Sequence, residues 1–125
     1  MLSSQSANDK IQQSILIADD DKTIVELLTQ VFRRYGLTVF HADNGLDAWK
    51  LFTRQPTDFV LTDIKMPGLD GGELSRRIRR QCPLIRIGVM TGGDRDVATQ
   101  LLNEGTADYY FGKPFNLKKL SDLIN

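Results

Sequence analysis

Short apolar segments alternate with amphipathic segments along nearly the whole chain. The apolar segments have the length and continuity of strands covered on both faces, whereas the amphipathic segments repeat their apolar residues at helical spacing. A predicted helix follows each predicted strand, and the strands are predicted at residues 14–18, 37–42, 59–62, 85–90 and 107–111. Strand–helix units in strict alternation predict an α/β domain in which a five-stranded parallel sheet is doubly wound, with helices on both faces.

Polar residues mark where the predicted helices begin. Asp70 followed by Glu73 is typical of a capped helix start, and either Asp43 or Asn44 is suited to cap the second helix. The third helix places several arginines among its apolar positions. We interpret these arginines as a solvated helix face and not as a nucleic-acid patch; they are Arg76, Arg77, Arg79 and Arg80.

Composition and charge narrow the classes of function. The 125 residues are 41% hydrophobic, and 16 basic residues balance 16 acidic ones. A net charge of zero gives no electrostatic reason to expect nucleic acid or a membrane as a direct partner. No apolar run reaches the ~18–20 residues that would span a bilayer.

Cys82 is the only cysteine, which favours a reducing, cytoplasmic setting. We expect residues 1–13 to be a flexible or disordered leader and residues 14–125 to be the folded domain.

Residues that carry chemistry follow the ends of four predicted strands. Because the carboxyl ends of parallel strands meet at one edge of a sheet, we expect these side chains to converge. In chain order they are Asp19, Asp20, Asp21, Asp63, Thr91 and Lys113. Clustered carboxylates repel one another unless a cation joins them, and an oxygen-only cluster without histidine or cysteine suits Mg²⁺. Because Mg²⁺ usually keeps water and phosphate ligands, the cluster indicates phosphate chemistry.

Four sequence fragments lie at these strand ends. They are residues 15–21 (ILIADDD), 60–71 (VLTDIKMPGLDG), 89–92 (VMTG) and 110–115 (YFGKPF). Each fragment alone is a weak signal, but all four occur in order. Together they resemble the receiver domain family of the response regulators of bacterial two-component signal transduction, across nearly the whole chain. The resemblance implies a flavodoxin-like sheet with the strand order 2-1-3-4-5.

The resemblance also implies a phosphoacceptor and a metal site. Asp63 matches the residue that receives a phosphoryl group from a phosphohistidine of a partner protein. Asp19 and Asp20 match the acidic pair that holds Mg²⁺, with Asp20 as the more direct ligand. Asp63 and the backbone carbonyl of Lys65 are implied to complete the protein's share of the metal ligands.

Further residues match a switch that follows phosphorylation. Thr91 is implied to donate a hydroxyl hydrogen bond to the phosphoryl group, and Lys113 to pair with it through its ammonium. The Lys113–Pro114 peptide bond is implied to be cis. Thr91 would then move toward the phosphoryl group and Tyr110 would turn inward, which remodels the face formed by the fourth helix, the fifth strand and the fifth helix.

The implied partner is a sensor histidine kinase or a histidine phosphotransfer protein, and the remodelled face is a candidate surface for a homodimer. The implied domain catalyses only its own phosphorylation and dephosphorylation, so it is not a turnover enzyme. Lys65 and Gly93 occupy positions that vary in the family and affect its kinetics. An ammonium at Lys65, together with no side chain at Gly93 to position water, predicts a phosphoryl group that lasts minutes or more.

Three other functions fit the same architecture. A receiver fold that acts only as a protein-binding scaffold, without phosphorylation, is the main alternative. A Mg²⁺-dependent phosphatase requires a second acid two residues after its nucleophilic aspartate, where this chain has Lys65. A flavin mononucleotide module requires a phosphate-binding loop after the first strand, where Asp19, Asp20 and Asp21 would repel the phosphate. His41, the only histidine, is interpreted as structural and not as a phosphate relay.

Overall fold

The computed structural model describes residues 12–125, so most of the predicted leader lies outside the described residues. The strands are β1 Ser14–Ala18, β2 Thr38–Ala42, β3 Phe59–Asp63, β4 Arg86–Thr91 and β5 Tyr109–Gly112. They form one parallel sheet in the order β2-β1-β3-β4-β5. The predicted fold class and strand order are therefore confirmed.

One helix follows each strand. The helices are α1 Lys22–Arg34, α2 Gly45–Arg54, α3 Gly71–Gln81, α4 Arg95–Asn103 and α5 Leu117–Ile124. Four of them begin with a side chain that accepts a hydrogen bond from a first-turn N–H group, and these caps are Asp21, Asn44, Asp70 and Asn116. Asn44, and not Asp43, therefore caps α2, while Asp70 accepts from the N–H of Glu73 as the sequence predicts.

Side chains along the strands alternate between two buried layers, one on each face of the sheet. On one face α1 and α5 cover a layer that includes Ile15, Ile17 and Leu61. On the other face α2, α3 and α4 cover a layer that includes Leu16 and Val60. Because both faces of the sheet are buried, a strand that slipped by one residue would exchange all of its layer contacts. The two buried layers thus determine the register of each strand, and with it the position of the strand's end.

The register of the strands aligns their carboxyl ends. Ala18 at the end of β1 pairs with Thr62, and Asp63 pairs with Met90. Thr91 at the end of β4 pairs with Gly112, which directly precedes Lys113 in the chain. Parallel pairing therefore brings the residues that follow β1, β3, β4 and β5 to one edge of the sheet.

Several predicted strand ends are displaced by one or two residues. The second strand begins at Thr38 and not at residue 37, the fourth covers Arg86–Thr91 and not residues 85–90, and the fifth begins at Tyr109 and not at residue 107. Ala107 is buried, but its N–H donates to the carbonyl of Leu101 in the turn that ends α4. The predicted start of β5 was therefore wrong, because the apolar character of Ala107 reflects burial in this turn and not a place in the strand.

The prediction that the arginines of α3 form a solvated face is wrong for Arg79. Its side chain is only 18% exposed, because the guanidinium lies against the turns that precede β4 and β5. It donates to the carboxylate of Asp108 at 2.7 Å and to the backbone carbonyl oxygens of Thr106, Pro83 and Ile85. A guanidinium has enough N–H donors to serve four acceptors at once, which an apolar residue or a lysine cannot do in this geometry.

Candidate functional site

Lys113 lies between two carboxylates at the carboxyl edge of the sheet. Its Nζ donates to Oδ2 of Asp19 over 3.0 Å and to Oδ2 of Asp63 over 3.2 Å. Both acids are buried, with 1% of Asp19 and 9% of Asp63 exposed. Carboxylates this close repel each other, and the ammonium between them offsets that repulsion. The fold thus brings together three predicted site residues, from the ends of β1 and β3 and from the segment after β5.

Asp20 adds a third carboxylate to this group. One carboxylate oxygen from each of Asp19, Asp20 and Asp63 lies within 4.8 Å of the others. Asp20 is exposed, so the group opens to solvent on its side. Asp21 has a different role, because its side chain accepts hydrogen bonds from the N–H groups of Thr23 and Ile24 at the start of α1. The acidic run after β1 is therefore divided between a carboxylate cluster, formed by Asp19 and Asp20 with Asp63, and a helix cap, formed by Asp21.

The chemistry of the three carboxylates fits Mg²⁺. All three offer hard oxygen ligands, and Mg²⁺ is usually held in proteins by a small number of carboxylates together with waters and phosphate oxygens. The exposure of Asp20 leaves one side of the cluster accessible to such additional ligands. Three negative charges against the single ammonium of Lys113 also leave the cluster in need of further positive charge.

Burial and neighbouring charge shift the pKa values of the two central groups. Burial raises the pKa of the Asp63 carboxyl, the charge of Asp19 raises it further, and Lys113 only partly offsets both effects. For Lys113, burial lowers the pKa of the ammonium, but the hydrogen bond and charge of Asp19 and the contact with Asp63 raise it overall. Lys113 is therefore protonated at neutral pH, and Asp63 is more basic than an ordinary aspartate.

Thr91 ends β4 and organises the loop that leads into α4. Its Oγ1 accepts hydrogen bonds from the N–H groups of Gly93 at 3.1 Å and Asp94 at 2.9 Å. Its carbonyl accepts a bond of 3.0 Å from the N–H of Lys113, which holds the segment after β5 against β4. The hydroxyl thus acts as an acceptor in this state, and its own hydrogen is available for donation.

Two other predicted features lie on or just after β5. The Lys113–Pro114 peptide bond is cis. Tyr110 is half-buried against the layer covered by α2, α3 and α4, whereas Tyr109 packs on the opposite layer. A Cβ at Gly112 would make an ordinary van der Waals contact with the Tyr110 hydroxyl, 3.4 Å away, so this ring lies close beside the end of β5.

Two glycines for which the sequence predicted no packing role hold the loop between β3 and α3 close to the site. A Cβ at Gly71 would lie 1.8 Å from the carbonyl oxygen of Asp63, and a Cβ at Gly45 would lie 1.7 Å from that of Leu69. Neither position accepts a larger residue without moving the backbone. The available signal was the pair Gly71-Gly72 in the first turn of the predicted helix, because glycine is often placed where backbone segments approach closely.

An ion pair that the sequence did not predict crosses the rim of the site. Lys65 extends from the loop after β3, and its Nζ lies 3.6 Å from Oδ2 of Asp94 at the start of α4. The Lys65 side chain is 81% exposed and that of Asp94 is 24% exposed. The pair therefore connects the loop that follows Asp63 with the loop that follows Thr91.

Comparison with known protein families identifies the family to which this fold belongs. The family model described as the response regulator receiver domain matches residues 15–125. The chain belongs to this family. The resemblance inferred from the four sequence fragments is thus confirmed, and the receiver domain is placed among the response regulators of two-component systems.

Relatives of this receiver domain differ widely in their own length. Sporulation initiation phosphotransferase F of Bacillus subtilis is 36% identical over 115 residues, which cover 91% of this chain and 92% of the relative. The DNA-binding transcriptional regulator NtrC of Azospirillum brasilense is 34% identical over 111 residues, which cover 89% of this chain but only 23% of NtrC. The receiver domain thus corresponds to nearly all of one relative and to about a quarter of the other.

Solved structures show the same fold. A response regulator receiver domain protein from Clostridium thermocellum has a TM-score of 0.83 and 32% identity, over 90% of this chain and 91% of that one. A response regulator from Chloroflexus aurantiacus has a TM-score of 0.81 and 30% identity, over 90% and 94% of the two chains. In the part of the receiver domain that the structure describes, no helix has the length and apolarity needed to cross a membrane.

Proposed function

We propose that this receiver domain accepts a phosphoryl group on Asp63 from the phosphohistidine of a sensor histidine kinase or a histidine phosphotransfer protein. The observation that carries the proposal is the convergence of Asp63 with Asp19, Asp20 and Lys113 at the carboxyl edge of the sheet. Buried carboxylates with a raised pKa beside a specific charge partner are typical of reactive sites. Membership of the receiver domain family supports the same chemistry.

In the proposed reaction a carboxylate oxygen of Asp63 attacks the phosphorus atom. A P–O bond forms while the P–N bond to the imidazole breaks, and the electron pair of that bond stays on the imidazole nitrogen. The product is an acyl phosphate, which is the usual result of nucleophilic catalysis by a carboxylate. Lys113 and Thr91 each donate a hydrogen bond to a phosphoryl oxygen. Because Lys113 is already protonated, it moves from the carboxylate to the phosphoryl group without a proton transfer.

Asp19, Asp20 and Asp63 are the side chains proposed to hold Mg²⁺, together with the backbone carbonyl of Lys65. When bound, Mg²⁺ supplies positive charge that neutralises the transferring phosphoryl group. Asp20 is exposed and is proposed as the more direct ligand. The carboxylate of Asp19 also accepts from the N–H of Asp21 at 2.9 Å and from Lys113, which fixes its orientation.

The proposed output is a change at the face formed by α4, β5 and α5. Donation from Thr91 to the phosphoryl group would draw its hydroxyl away from the N–H groups of Gly93 and Asp94 that it now holds. Tyr110, half-buried on β5, would then turn inward. Because β5 is an edge strand, this face is accessible to a protein partner or to a second copy of the chain. The phosphoryl group stays attached to Asp63, so no turnover of an external substrate is proposed.

The intact mass of the protein after incubation with phosphoramidate tests the proposal. We expect one Mg²⁺-dependent phosphoryl adduct in the wild type, none in Asp63→Asn, and one in the control variant Asp122→Asn, which changes an exposed aspartate on α5. A wild type that takes no adduct would favour the scaffold function. An adduct on Asp63→Asn would show that another residue is the phosphoacceptor.

A further inference from the structure

Asp94 occupies the cap position of α4, but its carboxylate accepts no hydrogen bond from the helix. Within residues 12–125 the other four helices all have a cap side chain that does so. Aspartate is among the residues that cap helices best, but the backbone of Asp94 (φ −94°, ψ 57°) lacks the extended conformation of the other four cap residues, so capping would require this residue to move. Its carboxylate instead lies beside Lys65, whose Nζ is 3.6 Å from Oδ2.

The ion pair joins the two loops that frame the proposed phosphoacceptor. Lys65 follows Asp63 by two residues, and Asp94 follows Thr91 by three. Asp63 and Thr91 lie at the ends of the neighbouring strands β3 and β4. Pairs as exposed as this one are weak, because water and salt screen them. A stronger anion nearby would therefore displace Asp94 from the lysine.

A phosphoryl group on Asp63 is such an anion. It would carry about two negative charges at neutral pH, against the single charge of Asp94. A Cβ built at Gly93 would meet no atom within 4 Å, so the space beside this residue is open. Lys65 follows Asp63 by only two residues, and its flexible stem allows the ammonium to reorient from Asp94 toward a phosphoryl group on Asp63.

We propose that Asp94 is a positioning residue for Lys65. Before phosphoryl transfer, the Asp94 carboxylate holds the Lys65 ammonium at the edge of the site. After transfer, Lys65 pairs with the phosphoryl group, and the released Asp94 carboxylate caps α4. The inference rests on the proposed function, because the release requires a phosphoryl group on Asp63. It links the chemistry at β3 to the first turn of α4, which belongs to the proposed output face.

Amide hydrogen exchange in the unphosphorylated protein tests the first half of the inference. The reporters are the N–H groups of Asp96 and Val97, which a cap at Asp94 would engage. In Lys65→Gln the carboxylate is released and caps the helix, so both amides exchange about threefold more slowly or slower still. Lys65→Arg keeps the pair and exchanges at the wild-type rate. Lys65→Gln has no effect on exchange in an Asp94→Ala background. Equal exchange in wild type and Lys65→Gln overturns the inference.

Exchange after treatment with phosphoramidate and Mg²⁺ tests the second half. Phosphorylated wild type is expected to show the slow exchange of Lys65→Gln at Asp96 and Val97. Wild type that carries the phosphoryl group but keeps its fast exchange overturns the release step. If no phosphoryl adduct forms, the proposed function fails, and the comparison of the unphosphorylated variants still decides whether Lys65 holds Asp94.

Discussion

Lys113 Nζ lies 3.2 Å from Oδ2 of Asp63 and also 3.0 Å from Oδ2 of Asp19, so one ammonium serves two buried acids. Asp19 directly follows β1 and Asp63 ends the adjacent strand β3, whereas Lys113 follows β5 and reaches both acids past the end of β4. Burial of the Asp63 carboxyl and the neighbouring charge of Asp19 together raise its pKa, and the single ammonium of Lys113 only partly offsets them. Added positive charge, or the loss of one carboxylate, should therefore stabilise the fold.

Asp63→Asn is expected to raise the free energy of unfolding at neutral pH without Mg²⁺, because it removes one of the two buried negative charges beside Lys113. The folded pKa of Asp63 is raised, so its ionised form destabilises the native state and the wild type loses stability as pH rises through that pKa. The difference between variant and wild type should shrink as pH falls through the raised pKa and vanish below the unfolded value. Urea unfolding across the acidic range measures this.

Added Mg²⁺ provides the control for that experiment. Wild type should gain stability with Mg²⁺ concentration, because the ion binds only the folded cluster, and Asp63→Asn should gain less. Asp122→Asn, on the exposed side of α5, should behave as wild type throughout. An Asp63→Asn variant that is less stable than wild type at neutral pH would contradict the electrostatic account of the site.

The residues at the strand ends were predictable because the sheet aligns them. Asp63 and Lys113 are 50 residues apart, yet parallel topology alone places both at one edge. The partners of side chains on the loops were not predictable in this way. Arg79 meets Asp108 across 29 residues, and Lys65 meets Asp94, through contacts that depend on loop conformation. Hydrophobic spacing predicts which face of a helix is buried, but it does not predict which polar group an arginine on that helix contacts.

Gly71→Ala is expected to destabilise the domain by about 2 kcal/mol or more, because the new Cβ would overlap the carbonyl oxygen of Asp63. The same clash should displace the end of β3 and slow phosphorylation. Gly93→Ala is the matched control, since a Cβ there meets no atom within 4 Å. Thermal or urea unfolding compares the two variants. Equal stability of both would show that the loop is free to move away from β3.

Arg79→Ala is expected to lower the free energy of unfolding by about 2–3 kcal/mol, because it leaves several acceptors without their charged donor. Arg80→Ala, on the same helix with a side chain that is 66% exposed, should change stability by no more than about 0.5 kcal/mol. The midpoints of urea unfolding distinguish the two. If Arg79→Ala loses as little stability as Arg80→Ala, the interpretation of these arginines as one solvated face would be restored.

The phosphoryl group on Asp63 is expected to persist for minutes or longer after the phosphodonor is removed. Lys65 places an ammonium at the rim, and Gly93 has no side chain with which to position an attacking water. Lys65→Gln should shorten this lifetime several-fold, whereas Lys119→Gln, on an exposed part of α5, should not. Intact mass followed over time gives the lifetime. Loss of the phosphoryl group from wild type within seconds would contradict the expected effect of Lys65 and Gly93 on its lifetime.

The central claim is that Asp63 is the phosphoacceptor, and chemical mapping of the modified residue tests it most directly. Borohydride reduces an aspartyl phosphate to homoserine, which marks its position in a peptide digest of the phosphorylated protein. We predict conversion at position 63 alone, and only when Mg²⁺ was present during phosphorylation. Conversion at Asp19 or Asp20, or no conversion at any aspartate, would contradict the claim.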